Sequence, residues 1–253
     1  MKTISVIGLN LACTDYEGAV EWILDQASHP KTAVAVEAAN THVAAMYRHE
    51  SDFRDSMDRF DLVVPDGMPL VWSMNLQLEE ESRLSERVYG PTLMLETVQA
   101  TSNRPEYRHF LLGGKESTLE KLRDFFERDH PGVEIAGVYS PPFGQWPDDE
   151  NERIFAEITK SGANLIWVGL GCPKQEHWIA ENKHRLPPGV YFGIGAAFAF
   201  HAGEVSQAPA FIQRNGLEWA YRIAAEPRRL FKRYLVHNSL FLWYSLRDHI
   251  RED

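Results

Sequence analysis

Two stretches of this sequence place reactive side chains where an apolar run stops. In "DLVVPDGMPLVW" the run ends at Pro65-Asp66-Gly67 and a helical pattern follows. A carboxylate there can take the proton from a hydroxyl as that oxygen attacks an electrophile. Asp66 also fits as the N-cap of the helix that follows, and the two roles are compatible. In "LIWVGLGCPKQEHWIAENK" the run ends at Gly169, Leu170 and Gly171. Pro173 then suits a first helical position, and Lys174, Gln175 and Glu176 fill the first turn. Unpaired N–H groups at such a turn can receive an anion. Lys174 lies against the sign that the helix dipole favours, so Glu176 or a bound phosphate would have to offset it. Gln175 offers paired donors and acceptors to a base or a sugar. Cys172 is a weak cap, so this helix start is expected to face a ligand.

Three further stretches belong to the same picture. "EAANTHVAAMYR" opens a helix on Asn40, Thr41 and His42, and either Asn40 or Thr41 serves as a cap or faces a ligand. "SERVYGPTLML" sets Arg87 just before a Gly-Pro helix start, where a guanidinium either is solvated or meets a phosphate. "HFLLGGKESTLEKL" carries Gly113 and Gly114 after an apolar run. Those glycines make a tight turn or let a nucleotide approach the backbone. The dinucleotide pattern GxGxxG and the P-loop pattern GxxxxGK[ST] are both missing.

The elements that must hold these residues alternate. Strand patterns fall at 3–8, 33–38, 61–65, 108–113, 133–139, 164–169 and 190–195. Helical patterns fall at 15–28, 41–58, 68–76, 91–102, 116–129, 149–161 and 174–185. The alternation predicts an α/β fold, a Rossmann-like, mainly parallel sheet with helices on both faces. Runs such as "LIWVG" are apolar on both sides, as covered strands are. In such a sheet ligands bind beyond the carboxyl ends of the strands, where most of these motifs fall. The pattern divides the chain into a catalytic domain over 1–208 and a helical appendage over 209–253, with helix starts marked by Pro209 and Pro227.

Composition narrows the function. The 253 residues are 44% hydrophobic and 25% charged, which allows a large core without disulfide or metal. Cys13 and Cys172 form no CxxC or Cys/His cluster, so no structural zinc is expected. No secretory signal and no membrane-spanning run is visible, which predicts a cytoplasmic location. The net charge of −10 disfavours nucleic acid as a partner. Residues 214–233 carry six basic and two acidic side chains, a local +4 that leaves −14 on the rest. Arg222, Arg228, Arg229, Lys232 and Arg233 alternate there with Trp219, Tyr221, Leu230, Phe231 and Tyr234. This is either an amphipathic helix packed on the core with solvated arginines, or an interfacial helix on anionic lipid that grips a pyrophosphate.

Taken together, "NTHVAAMYR", "DLVVPDGMPLVW", "RVYGPTL", "LLGG", "SGANLIWVGLGCPKQEHWIAEN", "GIGAAFAFHAGEVSQAP" and "GLEWAYRIAAEPRRLFKRYLVHN" resemble the WecG/TagA/CpsF glycosyltransferase family of bacterial surface-polysaccharide synthesis. The resemblance implies an inverting, metal-independent transfer from a UDP-sugar to a saccharide on a polyprenyl diphosphate. It implies a Rossmann-like fold whose helical appendage completes the active site, peripheral on the inner face of the cytoplasmic membrane. By the same resemblance Asp66 is the base with Thr41 beside it, and Arg87 holds phosphate or substrate. Gln175 and Glu176 contact the donor, while Arg222, Arg229 and Arg233 face the lipid diphosphate, with Arg228 in the same basic run. No cofactor is implied, and a homo-oligomer is allowed. The chain departs from the family pattern at Ala199, Gln207 and Thr92, where relatives often carry charged residues. Those changes would mark either a different donor sugar or weaker activity. N-acetylmannosamine, its uronic acid, glucose and glucuronic acid all remain open as donor sugars. A non-catalytic nucleotide-sugar sensor or scaffold is the alternative, and a dinucleotide oxidoreductase is disfavoured by the missing glycine pattern.

Overall fold

A computed structural model describes residues 1–253 except 145, 207, 210, 213–220, 222–226 and 253; for 227–235 and 249–252 it describes the backbone. The chain opens with a hairpin, β1 (Thr3–Val6) and β2 (Leu9–Ala12), paired antiparallel. This corrects the single strand expected over 3–8. Ile7 and Gly8 both take positive φ, 46° and 95°, which reverses the chain in a two-residue turn. Isoleucine is an unusual residue for that conformation, so the sequence carried no turn signal.

The main sheet has six strands: β3 (Ala33–Ala39), β4 (Leu62–Pro65), β5 (Arg108–Gly113), β6 (Glu134–Tyr139), β7 (Leu165–Gly169) and β8 (Gly189–Gly193). They are parallel throughout, in the order β4-β3-β8-β7-β5-β6. The helices are α1 (Tyr16–Ser28), α2 (Thr41–His49), α3 (Ser51–Met57), α4 (Met68–Asn75), α5 (Gly90–Ala100), α6 (Glu116–Asp129), α7 (Glu150–Ser161), α8 (Lys174–Asn182), α9 (Ala196–His201) and α10 (Pro227–Glu252). The helix expected over 41–58 breaks at Glu50, which is extended at φ −112°, ψ 114° and so divides α2 from α3.

Side-chain alternation along the strands builds a core on each face. Val36, Leu111, Leu165, Trp167, Val190 and Phe192 pack with α1, α5 and α6 on one side. Ala35, Phe110, Leu112, Ile166, Val168 and Tyr191 pack with α7 and α8 on the other. Trp167 stacks on Phe192 with ring centroids 3.9 Å apart. A third cluster joins the hairpin, α2, α3 and α4, and it also takes in Phe241 and Tyr244 of α10. The described half of α10 is therefore anchored on the sheet domain, against α2. No helix among the described residues is long and apolar enough to cross a membrane.

Candidate active site

The carboxyl ends of β3, β4, β7 and β8 open onto one cleft of about 310 Å³, at the low end for a small-molecule site. Its wall includes Glu37, Asn40, His42, Asp66, Tyr89, Gly169, Gly171, Gln175, Glu176, Gly193 and Ala199. Strand ends about a crossover are where the parallel sheet is expected to receive a ligand.

Asp66 follows Pro65, the last residue of β4, and its N–H donates to the Ala39 carbonyl at 2.7 Å. The cap of α4 is Gly67, so Asp66 does not cap the helix that follows it. Its Oδ1 instead accepts from the Gly90 N–H at 2.7 Å, at the start of α5. The carboxylate thus sits at the positive end of an eleven-residue helix, a stabilising place for negative charge.

Asn40 caps α2, its Oδ1 accepting from the N–H groups of His42 at 3.0 Å and Val43 at 3.3 Å. Thr41 lies next in sequence but outside the cleft wall, and its hydroxyl donates to Asn238 Oδ1 of α10 at 2.8 Å. Beside it, the buried His42 ring lies edge-on to His237 of α10 at a centroid distance of 4.2 Å. The residues expected near the base thus divide: Asn40 and His42 face the cleft, and Thr41 binds the tail helix.

Gln175 explains how α8 begins. Its Oε1 accepts from Gly171 N–H at 3.1 Å and Gly195 N–H at 3.2 Å. Its Nε2 donates to the Gly193 carbonyl at 2.7 Å and to Glu176 Oε1 at 3.0 Å. Two donors and two acceptor positions are the whole capacity of a primary amide. Gln175 therefore staples the ends of β7 and β8 together, and its amide is taken up by bonds within the protein. The cap residue of α8 is Pro173, one place earlier than expected, and no side chain caps the helix. Lys174 lies outside the cleft wall, with its ammonium 4.1 Å from the Trp146 ring centroid. That cation–π contact takes the role given in the sequence reading to Glu176 or a phosphate.

The glycines do two kinds of work. Gly169 and Gly171 line the cleft. Gly113 and Gly114 do not. Gly113 has φ +100°, and a Cβ there would run into the backbone of Gly169, so it supports the cleft wall from behind. Gly114 faces Phe198 and Thr118. Arg87 stands outside the wall with its guanidinium over the Tyr89 ring, 4.2 Å from the centroid, and Tyr89 does line the cleft. Thr92 hydrogen-bonds the Tyr16 hydroxyl, which accepts from the Tyr89 N–H at 3.0 Å. Ala199 lies in the wall, on α9.

The basic tail is only partly described. Arg222 and Gln207 lie outside the described residues. Arg228, Arg229 and Arg233 belong to the first turns of α10, and their side chains also lie outside what is described. Farther along α10, Val236, Leu242, Trp243 and Leu246 are exposed, and the Arg247 guanidinium lies 4.9 Å from the Trp243 ring centroid.

Sequence reasoning passed over Glu37. It stands in β3, lines the cleft and is buried. Burial first, then the negative charges of Glu176 and Asp66, push its pKa well above the usual carboxylate range. The signal was available: a lone acid within the apolar run "AVAVEAA", two residues before the strand ends. Among the described residues no three His, Cys, Asp or Glu side chains are grouped to hold a metal ion.

Comparison with known proteins gives this site a context. Residues 4–253 match the profile of the glycosyl transferase WecG/TagA/CpsF family. An N-acetylglucosaminyldiphosphoundecaprenol N-acetyl-beta-D-mannosaminyltransferase of Bacillus subtilis is 25% identical over 235 residues, covering 93% of this chain and 88% of the relative. A protein of the same name from Bacillus spizizenii is 28% identical over 194 residues, covering 77% and 72%.

Proposed function

The chain belongs to the glycosyl transferase WecG/TagA/CpsF family, and from that footing we propose that it moves a sugar from a UDP-sugar to a saccharide carried on a polyprenyl diphosphate, with inversion and without a metal. The enzyme class, glycosyltransferase, comes with the family. The acceptor follows the names of the two relatives, which act on a diphosphoundecaprenol-linked sugar.

The observation that carries the reading is Asp66, a cleft carboxylate just past the end of the edge strand β4, with one oxygen fixed by the N–H of Gly90. Asp66 takes the proton of the acceptor hydroxyl as that oxygen attacks the anomeric carbon. UDP leaves from the opposite face, so the centre inverts. The Gly90 N–H helps hold the carboxylate in place, which favours an in-line approach over a diffusive one. The leaving diphosphate gains negative charge, which helix N-termini and cationic side chains stabilise. Arg87 and the arginines of 222–233 are the cations we assign to the diphosphate groups. The exposed apolar stripe of α10, with Arg247 among its rings, suits an anionic membrane surface. Such contact would place the protein peripherally at the membrane that holds its acceptor.

The test is acceptor-dependent UDP release with EDTA present, using a panel of UDP-sugars and a short polyprenyl-diphosphate-linked saccharide. One donor should give UDP, a product heavier by one sugar and an anomeric configuration opposite to the donor's. Release only after a divalent ion is added would reject the metal-independent part. UDP binding with no transfer to any acceptor would favour the sensor reading.

A further inference from the structure

Glu37 is a carboxyl group that the packing of the fold does not use. It is 2% exposed, and its Oε2 has no hydrogen-bond partner among the described residues. Buried polar atoms in folded proteins are nearly always paired, so such an atom in a cleft wall calls for a partner from outside. Room for the carboxyl itself is made by sequence. Glu37 is in register with Gly193 on β8, and a Cβ at Gly193 would collide with Oε2. The Gly193 carbonyl is in turn held by Gln175, whose other N–H goes to Glu176. Glu37 therefore lies on the cleft floor, two residues inward along β3 from Ala39, whose carbonyl receives the Asp66 N–H.

Charge decides which part of a nucleotide-sugar meets this floor. Asp66 and Glu176 line the same cleft as Glu37 and are the negative charges beside it. A diphosphate placed against them would meet like charge. An uncharged sugar offers hydroxyl and acylamino groups that carboxyl groups bind well. The base, moreover, has to stand close to the sugar's anomeric carbon.

We propose that Glu37 is a specificity-determining residue of the donor site: its Oε2 hydrogen-bonds a hydroxyl or acylamino group of an uncharged sugar ring, and the neighbouring carboxylates of Asp66 and Glu176 exclude a uronic acid. This rests on the UDP-sugar reading above. The surroundings of Glu37 favour its protonated form, so an amide of the same shape is its close substitute.

The experiment titrates UDP, UDP-N-acetylmannosamine, UDP-glucose and UDP-glucuronic acid into the wild-type chain and into Glu37→Leu and Glu37→Gln. Thermal unfolding of each protein shows that it is folded. The wild type should bind an uncharged UDP-sugar at least about tenfold more tightly than the uronate. Glu37→Leu should weaken the UDP-sugar by roughly ten- to a hundredfold while UDP itself changes by less than about threefold. Glu37→Gln should recover most of that loss. Equal losses for UDP and UDP-sugar in Glu37→Leu would make Glu37 merely structural and overturn the proposal. So would an unchanged UDP-sugar affinity, or a wild type that prefers the uronate. A wild type that binds no UDP would instead reject the donor reading beneath it.

Discussion

At the scale of single residues, the site is built as much by saturated groups as by reactive ones. Asp66 was legible as a strand-end carboxylate, although the same position also read as a helix cap. Its partner was not legible, since Gly90 lies 24 residues away and the pairing depends on how α5 meets β4. Gln175 was read as a ligand contact because its amide is versatile, and that same versatility lets it close four internal hydrogen bonds. Gln175→Ala leaves the buried carbonyl of Gly193 and the amides of Gly171 and Gly195 without this partner. Urea unfolding should show a loss of about 1–3 kcal/mol, and donor affinity should fall with it. An unchanged midpoint would mean that the staple holds nothing. Glu37 escaped the sequence reading because its neighbours made it look like one more strand residue.

At the scale of elements, the parallel alternation was legible to within a few residues because the central strands are apolar on both faces and turn residues separate them from the helices. The short helix α9 was not read at all, and two other elements were misread for local reasons. The hairpin turns at Ile7-Gly8, without the Asn-Gly or Asp-Gly signature, and α2 and α3 part at a single extended residue, Glu50. The tail helix had been set apart as an appendage. Its described half is held to α2 by the Thr41–Asn238 hydrogen bond, the His49–Tyr244 contact at 3.1 Å and the burial of Phe241. α2 begins at the cleft wall, so α10 and the cleft share a support. Thr41→Val should cost about 0.5–1.5 kcal/mol and speed hydrogen exchange in α10 while leaving α5 unchanged. Equal exchange in both proteins would show that this bond does not hold the tail.

At the scale of the whole molecule, the sheet domain carries a built-in sensitivity to acid. His109 is fully buried, accepting at Nδ1 from Trp167 Nε1–H at 3.0 Å and so donating from Nε2 to Thr101 Oγ1 at 2.8 Å. Burial lowers its pKa to about 3. The unfolded chain, with an ordinary imidazole near 6.5, binds the extra proton first. The stability contributed by neutral His109 is therefore complete above that value and is lost as pH falls towards 3. The slope approaches about 1.4 kcal/mol per pH unit. Denaturant midpoints from pH 7 to pH 4 should fall less steeply in His109→Gln than in the wild type. Parallel profiles would place the acid sensitivity elsewhere. The uneven charge along the chain, acidic over the sheet domain and basic over 214–233, was legible from composition alone. Which arginines would meet a diphosphate was not, because composition gives charge without position.

The central claim is that Asp66 is the base of a metal-independent sugar transfer. The most direct measurement compares Asp66→Asn with the wild type in EDTA, following the rate of product formation and, by titration, the affinity for UDP. Asparagine keeps the shape and can still accept from Gly90 N–H, but it takes no proton at this site. The account predicts UDP affinity within about threefold of the wild type and a turnover lower by roughly 10²–10⁴-fold. Turnover near the wild-type rate, with UDP still bound, would contradict it and remove Asp66 from the chemistry.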